Sequence, residues 1–192
     1  MSDFVPLTGE PLALDFINTK LLLPSVGWVD GLSSLAGLRL WVGQEQERLD
    51  TQDAKLKESD LAAVRDLRDD VTSAVERARH GRNPTQASVR RINVALRTAP
   101  PVRQLAWSQT ALTEEPARPS HAGSRLITQL AESAADLLTD PKVTSIRECA
   151  MEDCVFLFWP VNPRRKWCRD SICGNRARVA RHYHRHKAGA ST

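Results

Sequence analysis

From residue 60 to residue 79 the apolar positions Leu61, Val64, Leu67, Val71, Ala74, Val75 and Ala78 return at steps of three and four. That spacing places them on one stripe of an amphipathic helix. Ser59 stands where a cap is expected, and His80-Gly81 where the helix must stop. Asn83-Pro84-Thr85 opens a second helix in which Val89, Ile92 and Leu96 repeat the pattern, until Ala99-Pro100-Pro101 ends it. Ile127, Leu130, Ala134, Leu137 and Leu138 predict a third over about 124–138. Upstream, Leu12–Thr19 and Leu32–Val42 are short apolar segments split by a break at Pro24 and Gly27, and both fit short helices. Residues 102–108 alternate and predict a strand, half of a small hairpin with Leu112 nearby, whereas residues 113–123 hold two prolines and a glycine and read as loop. The expected fold class is mainly α with a minor β component.

The pattern changes after Thr139-Asp140-Pro141-Lys142, a hinge that divides the chain into a helical domain (1–141) and a C-terminal module (142–192). All four cysteines lie in that module, as Cys149-x4-Cys154 and Cys168-x4-Cys173. Two close pairs with an excursion between them suit a tetrahedral thiolate site, each pair wrapping one side of the ion. Residues 146–149 and 155–159 read as two short strands joined at the first knuckle. The second knuckle runs into a helix from about Cys173, whose start favours a thiolate. Phe156, Phe158 and Trp167 form a core too small to stand alone, so one structural Zn2+ would supply folding free energy on the order of 10 kcal/mol. Two disulfides, four unrelated core cysteines or an iron–sulfur cluster are the competing readings. All four positions being filled favours a closed structural site over a catalytic one. His182 and His186 have the i, i+4 spacing of a helical metal pair, but His182 lies roughly 13 Å along the helix from Cys173, too far to share the ion easily.

Charge separates the same two regions. Residues 160–192 hold nine Lys/Arg against one Asp, a balance of +8, so the other 159 residues carry −4 of the formal +4. A basic module on a slightly acidic body points to a polyanionic partner. On the last helix Arg178, Arg181 and Arg185 gather on one side, a face fit for phosphates and bases. Val179, Ala180 and Tyr183 gather opposite and are expected to pack on the knuckles or the body. Arg176 falls on the apolar side and is expected to brace the module by pairing with Glu148, Asp153 or Asp170. Asn175 serves either structure or a polar contact. The loop carrying Arg164, Arg165 and Lys166 supplies a second basic cluster, either for phosphates or as solvated surface.

These residues resemble the CGNR zinc finger, a module usually joined to an N-terminal ABATE domain in bacterial transcription regulators. The likeness rests on Cys149, Cys154, Trp167-Cys168, Cys173-Gly174-Asn175-Arg176 and the basic stretch after them. Leu14-Asp15-Phe16-Ile17-Asn18-Thr19 and the helix order support the ABATE part. The resemblance implies zinc on the four cysteines within a treble-clef-like or ribbon-like module, a DNA-binding C-terminus and a sensing or regulatory body. Where the family often has an acid after the aromatic strand, Trp159-Pro160 stands here.

Asp15 and Asn18 are polar positions inside an apolar segment. They read as the lining of an effector pocket, or as buried groups that fix the fold through backbone hydrogen bonds. Trp28, Trp41 and Trp107 read as core. No Gly-rich phosphate loop, nucleophile elbow or His-Glu-x-x-His motif is present, so no enzyme is expected. The amino terminus has no secretory pattern and no apolar run is long enough for a membrane span. The expectation is a cytoplasmic DNA-binding regulator, nucleoid-associated when bound to DNA, with a small-molecule effector and homodimer formation as candidate features. A zinc-stabilised module docking an acidic protein, or an RNA binder, are the alternatives.

Overall fold

In the computed structural model, residues 8–23, 27–50, 56–118 and 120–189 are described. A short helix α1 (Leu12–Ile17) is followed by an antiparallel hairpin of β1 (Lys20–Leu23) and β2 (Gly27–Asp30), then α2 (Leu35–Gln44). Three longer helices follow: α3 (Glu58–Arg79), α4 (Gln86–Leu96) and, after the hairpin β3 (Val102–Trp107) and β4 (Leu112–Ala117), α5 (Ala122–Thr139). The chain then enters a 3-10 turn (Val143–Ser145), a two-residue ladder of β5 (Arg147–Glu148) with β6 (Leu157–Phe158), a π-helical turn (Asp170–Gly174) and α6 (Asn175–Gly189). About half of the chain is helical, with small antiparallel strand pairs, as the apolar periodicity predicts.

Helices α3, α4 and α5 pack on one another, and α1 lies against α3 and α5. Leu14, Val64, Val71, Leu126, Leu130 and Ala134 are fully buried between them, and Phe16 stacks on Trp41 at 5.5 Å between ring centroids. Gly123 marks the closest approach in this core. A Cβ there would fall 2.2 Å from the Asp60 carboxylate, which accepts the Lys57 N–H at the start of α3.

Several expectations are corrected here. The cap of α3 is Lys57 and Ser59 lies inside the helix, because Asp60 supplies the side-chain acceptor. Residues 112–117 are not loop but a full partner strand for β3, in which Pro116 stands opposite Arg103. The break at Gly27 is the turn end of the β1–β2 hairpin, where φ is +87°, and Pro24 lies outside the described residues. Of the three tryptophans read as core, only Trp41 is buried. Trp28 is 68% exposed and Trp107 78% exposed; each sits on a two-stranded hairpin, and Trp28 lies on the face of its hairpin opposite the Leu21–Val29 pair that packs on the cysteine module.

One buried cation organises the base of the β1–β2 hairpin. Arg68, 1% exposed, projects from α3 and donates to both oxygens of Asp30 at 2.7 and 2.6 Å and to the Thr19 hydroxyl at 2.7 Å. Burial opposes ionisation of Asp30, but hydrogen bonds from Arg68 and the Leu32 amide outweigh it and hold the carboxyl below its ordinary range. Asp30→Asn leaves the guanidinium buried without a counter-ion and is expected to cost about 3–5 kcal/mol in urea denaturation at pH 7. A depressed carboxyl stabilises above its unfolded pKa, and that stability is lost as pH falls through the lower folded value. The gap between wild type and variant should therefore close below about pH 4.

Candidate metal centre and its seam with the body

The four cysteine sulfurs lie within 4.8 Å of one another, with Cys154–Cys168 at 3.8 Å and Cys168–Cys173 at 3.6 Å. Four sulfurs at zinc–thiolate bond length around a tetrahedral ion are separated by about 3.8 Å. Cys149, Cys168 and Cys173 are buried and Cys154 is partly so, none in a disulfide. Thiols packed this closely cannot all ionise unaided. Hydrogen bonds from Cys154 and Cys168 hold Cys149 down to about 2. Cys154 is pushed up to about 12, chiefly by Cys149. Cys168 is raised by its bonds to Cys149 and Cys154 and then by burial, and burial raises Cys173. A divalent cation is what this donor set needs to be four thiolates together. The four cysteines form a structural zinc site, and its chemistry is to fix two knuckles in place.

Each residue of Cys173-Gly174-Asn175-Arg176 acts locally to hold the start of α6. Cys173 is a ligand. A Cβ on Gly174 would come 2.5 Å from the Asp170 carboxylate and 3.3 Å from the Trp167 ring, so only glycine lets them pack there. The Asn175 amide donates to the Ser171 carbonyl at 2.7 Å and its oxygen accepts from Arg178. Arg176 pairs with Asp153 in the first knuckle, one of the acids foreseen for it. Asn175 therefore makes both a structural bond and a polar contact.

The module is not a free appendage. The two strand residues of β6 alternate: Leu157 enters the core of the body and Phe158 joins Cys149, Cys168 and Cys173 in a second cluster with Leu21 of β1. Asn18 of α1 continues the ladder. Its Nδ2 donates to the Leu157 carbonyl at 2.8 Å and its Oδ1 accepts the Leu157 N–H at 3.0 Å. Glu10 accepts the Trp159 N–H at 2.8 Å and pairs with Arg165, so the carboxylate beside this loop comes from the far end of the sequence. Arg165 also donates to the Trp167, Trp159 and Cys168 carbonyls and lies 4.5 Å over the Phe158 ring.

That packing turns Arg165 inward, apart from Arg164 and Lys166, with its guanidinium engaged by Glu10 and by backbone carbonyls. Arg164 is exposed and Lys166 is too. Asp15 and Asn18 border one cavity of about 490 Å3, with Glu10, Arg165, Arg169 and Ser171 on its other walls. Their polar atoms are already committed: Asp15 accepts from the Gly9 and Glu10 amides and pairs with Arg48. Burial raises the Asp15 carboxyl against the pull of Arg48, and Glu45, which shares that arginine, is raised for the same first reason. Glu10 and Arg48 were not foreseen, since Glu10 meets Arg165 from 155 positions away and Arg48 meets Asp15 from 33 positions away.

On α6, Arg178 is exposed and pairs loosely with Asp170 at 3.2 Å, and Arg181 is exposed with its Nε toward the Ala177 carbonyl. The side chain of Arg185, with those of His184 and His186, lies outside the described residues. Val179 and Tyr183 do not pack on the knuckles as expected. They are 69% and 63% exposed.

Compared with protein families, residues 10–141 match ABATE, described as "Putative stress-induced transcription regulator", and residues 145–186 match the CGNR zinc finger. No curated protein compared with the chain matches it. No helix among the described residues is long and apolar enough to cross a membrane.

Two outcomes follow from this geometry. Elemental analysis should find one zinc per chain, reduced to background in Cys168→Ser. Asn18→Ala strands the buried Leu157 N–H and C=O and should cost about 2–4 kcal/mol in denaturant unfolding, with zinc content unchanged in the folded fraction.

Proposed function

The chain belongs to the ABATE family and carries a CGNR zinc finger, and from that premise we propose that it is a DNA-binding transcription regulator. The observation that carries the reading is α6. It is fastened at its first turn by Cys173, Asn175 and Arg176, while positions 178–183 are exposed. A helix about 10–12 Å wide suits a major groove of about 12 Å. Arg178 and Arg181 stand on its surface, and Arg185 continues the same face in the sequence. Asp170, the partner of Arg178, is itself 71% exposed, so a phosphate can replace it at little cost.

The mechanism is positional. Zinc sets the direction of α6, the arginines supply phosphate and base-edge donors, and Arg164 and Lys166 add backbone contacts beside them. A regulatory ligand is assigned to the cavity between body and module, where Asn18 ties the end of α1 to β6 and Asp15 holds the Gly9–Glu10 segment. No catalytic reaction is assigned to the chain. A second reading, docking to an acidic protein, is favoured by the exposed Val179 on the same helix.

Binding of the full chain to sheared genomic DNA across a salt series tests this, beside a zinc-loaded Arg178/Arg181/Arg185→Ala triple variant. Wild type should bind with affinity falling steeply in salt. The variant should bind more weakly, its slope reduced by about 0.9 for each phosphate it no longer neutralises. Equal binding by both proteins places the DNA-binding surface elsewhere. No binding near physiological salt defeats the DNA reading in favour of the docking one.

A further inference from the structure

The β3–β4 hairpin has no use in the reading above. Its base is pinned by Arg118, which donates to the Ala99 carbonyl at 2.8 Å and pairs with Glu132 of α5 at 2.6 Å. Beyond that base β3 and β4 have each other as their main neighbours among the described residues. A two-stranded ribbon alone is marginally stable in water. This one nonetheless exposes Leu105 (66%), Trp107 and Leu112 on one face, since Trp107 stands opposite Leu112 and Leu105 opposite Glu114.

Its two edges are not equivalent. Ser108 donates its N–H to the Ala111 carbonyl at 2.8 Å where the strands meet. Counting alternate positions from that pair, Ala106, Gln104 and Val102 turn their backbone groups toward β4. Arg103, Leu105 and Trp107 turn theirs outward. Pro116, opposite Arg103, agrees with this count, because its missing N–H then costs the ladder nothing. The proline, which has no N–H to offer there, closes the outer edge of β4 to further pairing. Among the described residues, the outer edge of β3 stays open. Its one charge is neutralised in place, Arg103 Nε donating to Glu114 at 2.8 Å.

We propose that the open edge of β3 pairs antiparallel with β3 of a second copy of this chain, about a two-fold axis at Leu105. The register is self-complementary. Leu105 meets its own counterpart and Arg103 meets the counterpart of Trp107, so all six outward N–H and C=O groups on each strand find partners. The guanidinium of Arg103 then lies across from the partner's indole, a favourable cation–π pairing. Because Arg103 is already paired with Glu114, the two edges approach without cation repulsion. The joined hairpins make a four-stranded sheet and an isologous dimer. This inference goes beyond the DNA reading and does not depend on it.

Light scattering on the zinc-loaded full chain tests it, beside Leu105→Pro. Proline at this outward position leaves the β3–β4 ladder intact and deletes the central pair of inter-copy bonds. Wild type should have twice the 21.4 kDa chain mass and the variant the single mass, with an unchanged far-UV circular dichroism spectrum. A wild-type monomer at all concentrations overturns the proposal, as does a folded variant that remains dimeric. Should Leu105→Pro fail to fold, Leu105→Cys decides under glutathione redox buffer. Directly opposed residues in a hydrogen-bonded pair lie about 5.5 Å apart at Cα, within disulfide reach. Leu105→Cys should form a covalent dimer and Val102→Cys, about 20 Å from its counterpart, should not. No cross-link, or an equal one at both positions, overturns the register.

Discussion

Four thiols held within 4.8 Å of one another are the constraint on which the C-terminal third depends. Left as thiols they can ionise only in part, since each charge raised on one sulfur is offset by protons held on its neighbours. A zinc ion removes that conflict and turns a crowded cluster into a fixed point. Everything that gives the module a direction hangs from it: the two knuckles, the π-helical turn and the first turn of α6. The module's own apolar content is a few aromatic side chains, and it completes its core by borrowing Leu21 and Val29 from the β1–β2 hairpin.

That borrowing makes the body and the module one mechanical unit. Asn18 behaves as an extra strand residue for β6, exchanging both hydrogen bonds with Leu157. Glu10 grips Arg165, which in turn caps the carbonyl of the zinc ligand Cys168. A change in α1 therefore has a short route of packed and hydrogen-bonded groups to the metal centre, and from there to α6. In the proposed regulator this seam is where a signal received by the body would alter the presentation of the basic helix.

The sequence made some of this legible and hid the rest for identifiable reasons. The helices of the body were readable because long amphipathic stripes dominate their packing. The zinc ligands were readable because metal geometry demands residue type and spacing together, and Arg176 because a basic residue on an inward face needs an acid. Strand β4 was misread since its proline and paired glutamates lack β character, and cross-strand pairing with β3 overrides that local signal. Trp28 and Trp107 were placed in the core on hydrophobicity alone, which cannot tell a buried aromatic from one on the outer face of a hairpin. The inward turn of Arg165 was hidden because its partner Glu10 lies 155 positions away. The seam cavity brings Asp15 and Asn18 together, as their shared segment suggests, but spends their polar groups on backbone contacts and on Arg48.

The claim that zinc positions a DNA-reading helix is tested most directly by following one labelled duplex by fluorescence anisotropy. Zinc is withdrawn from the bound full chain with a chelator and then restored. Anisotropy should fall to that of free DNA as zinc leaves and recover when zinc returns. Anisotropy that stays high on the metal-free chain would mean that the basic residues bind without the frame, and would contradict the account.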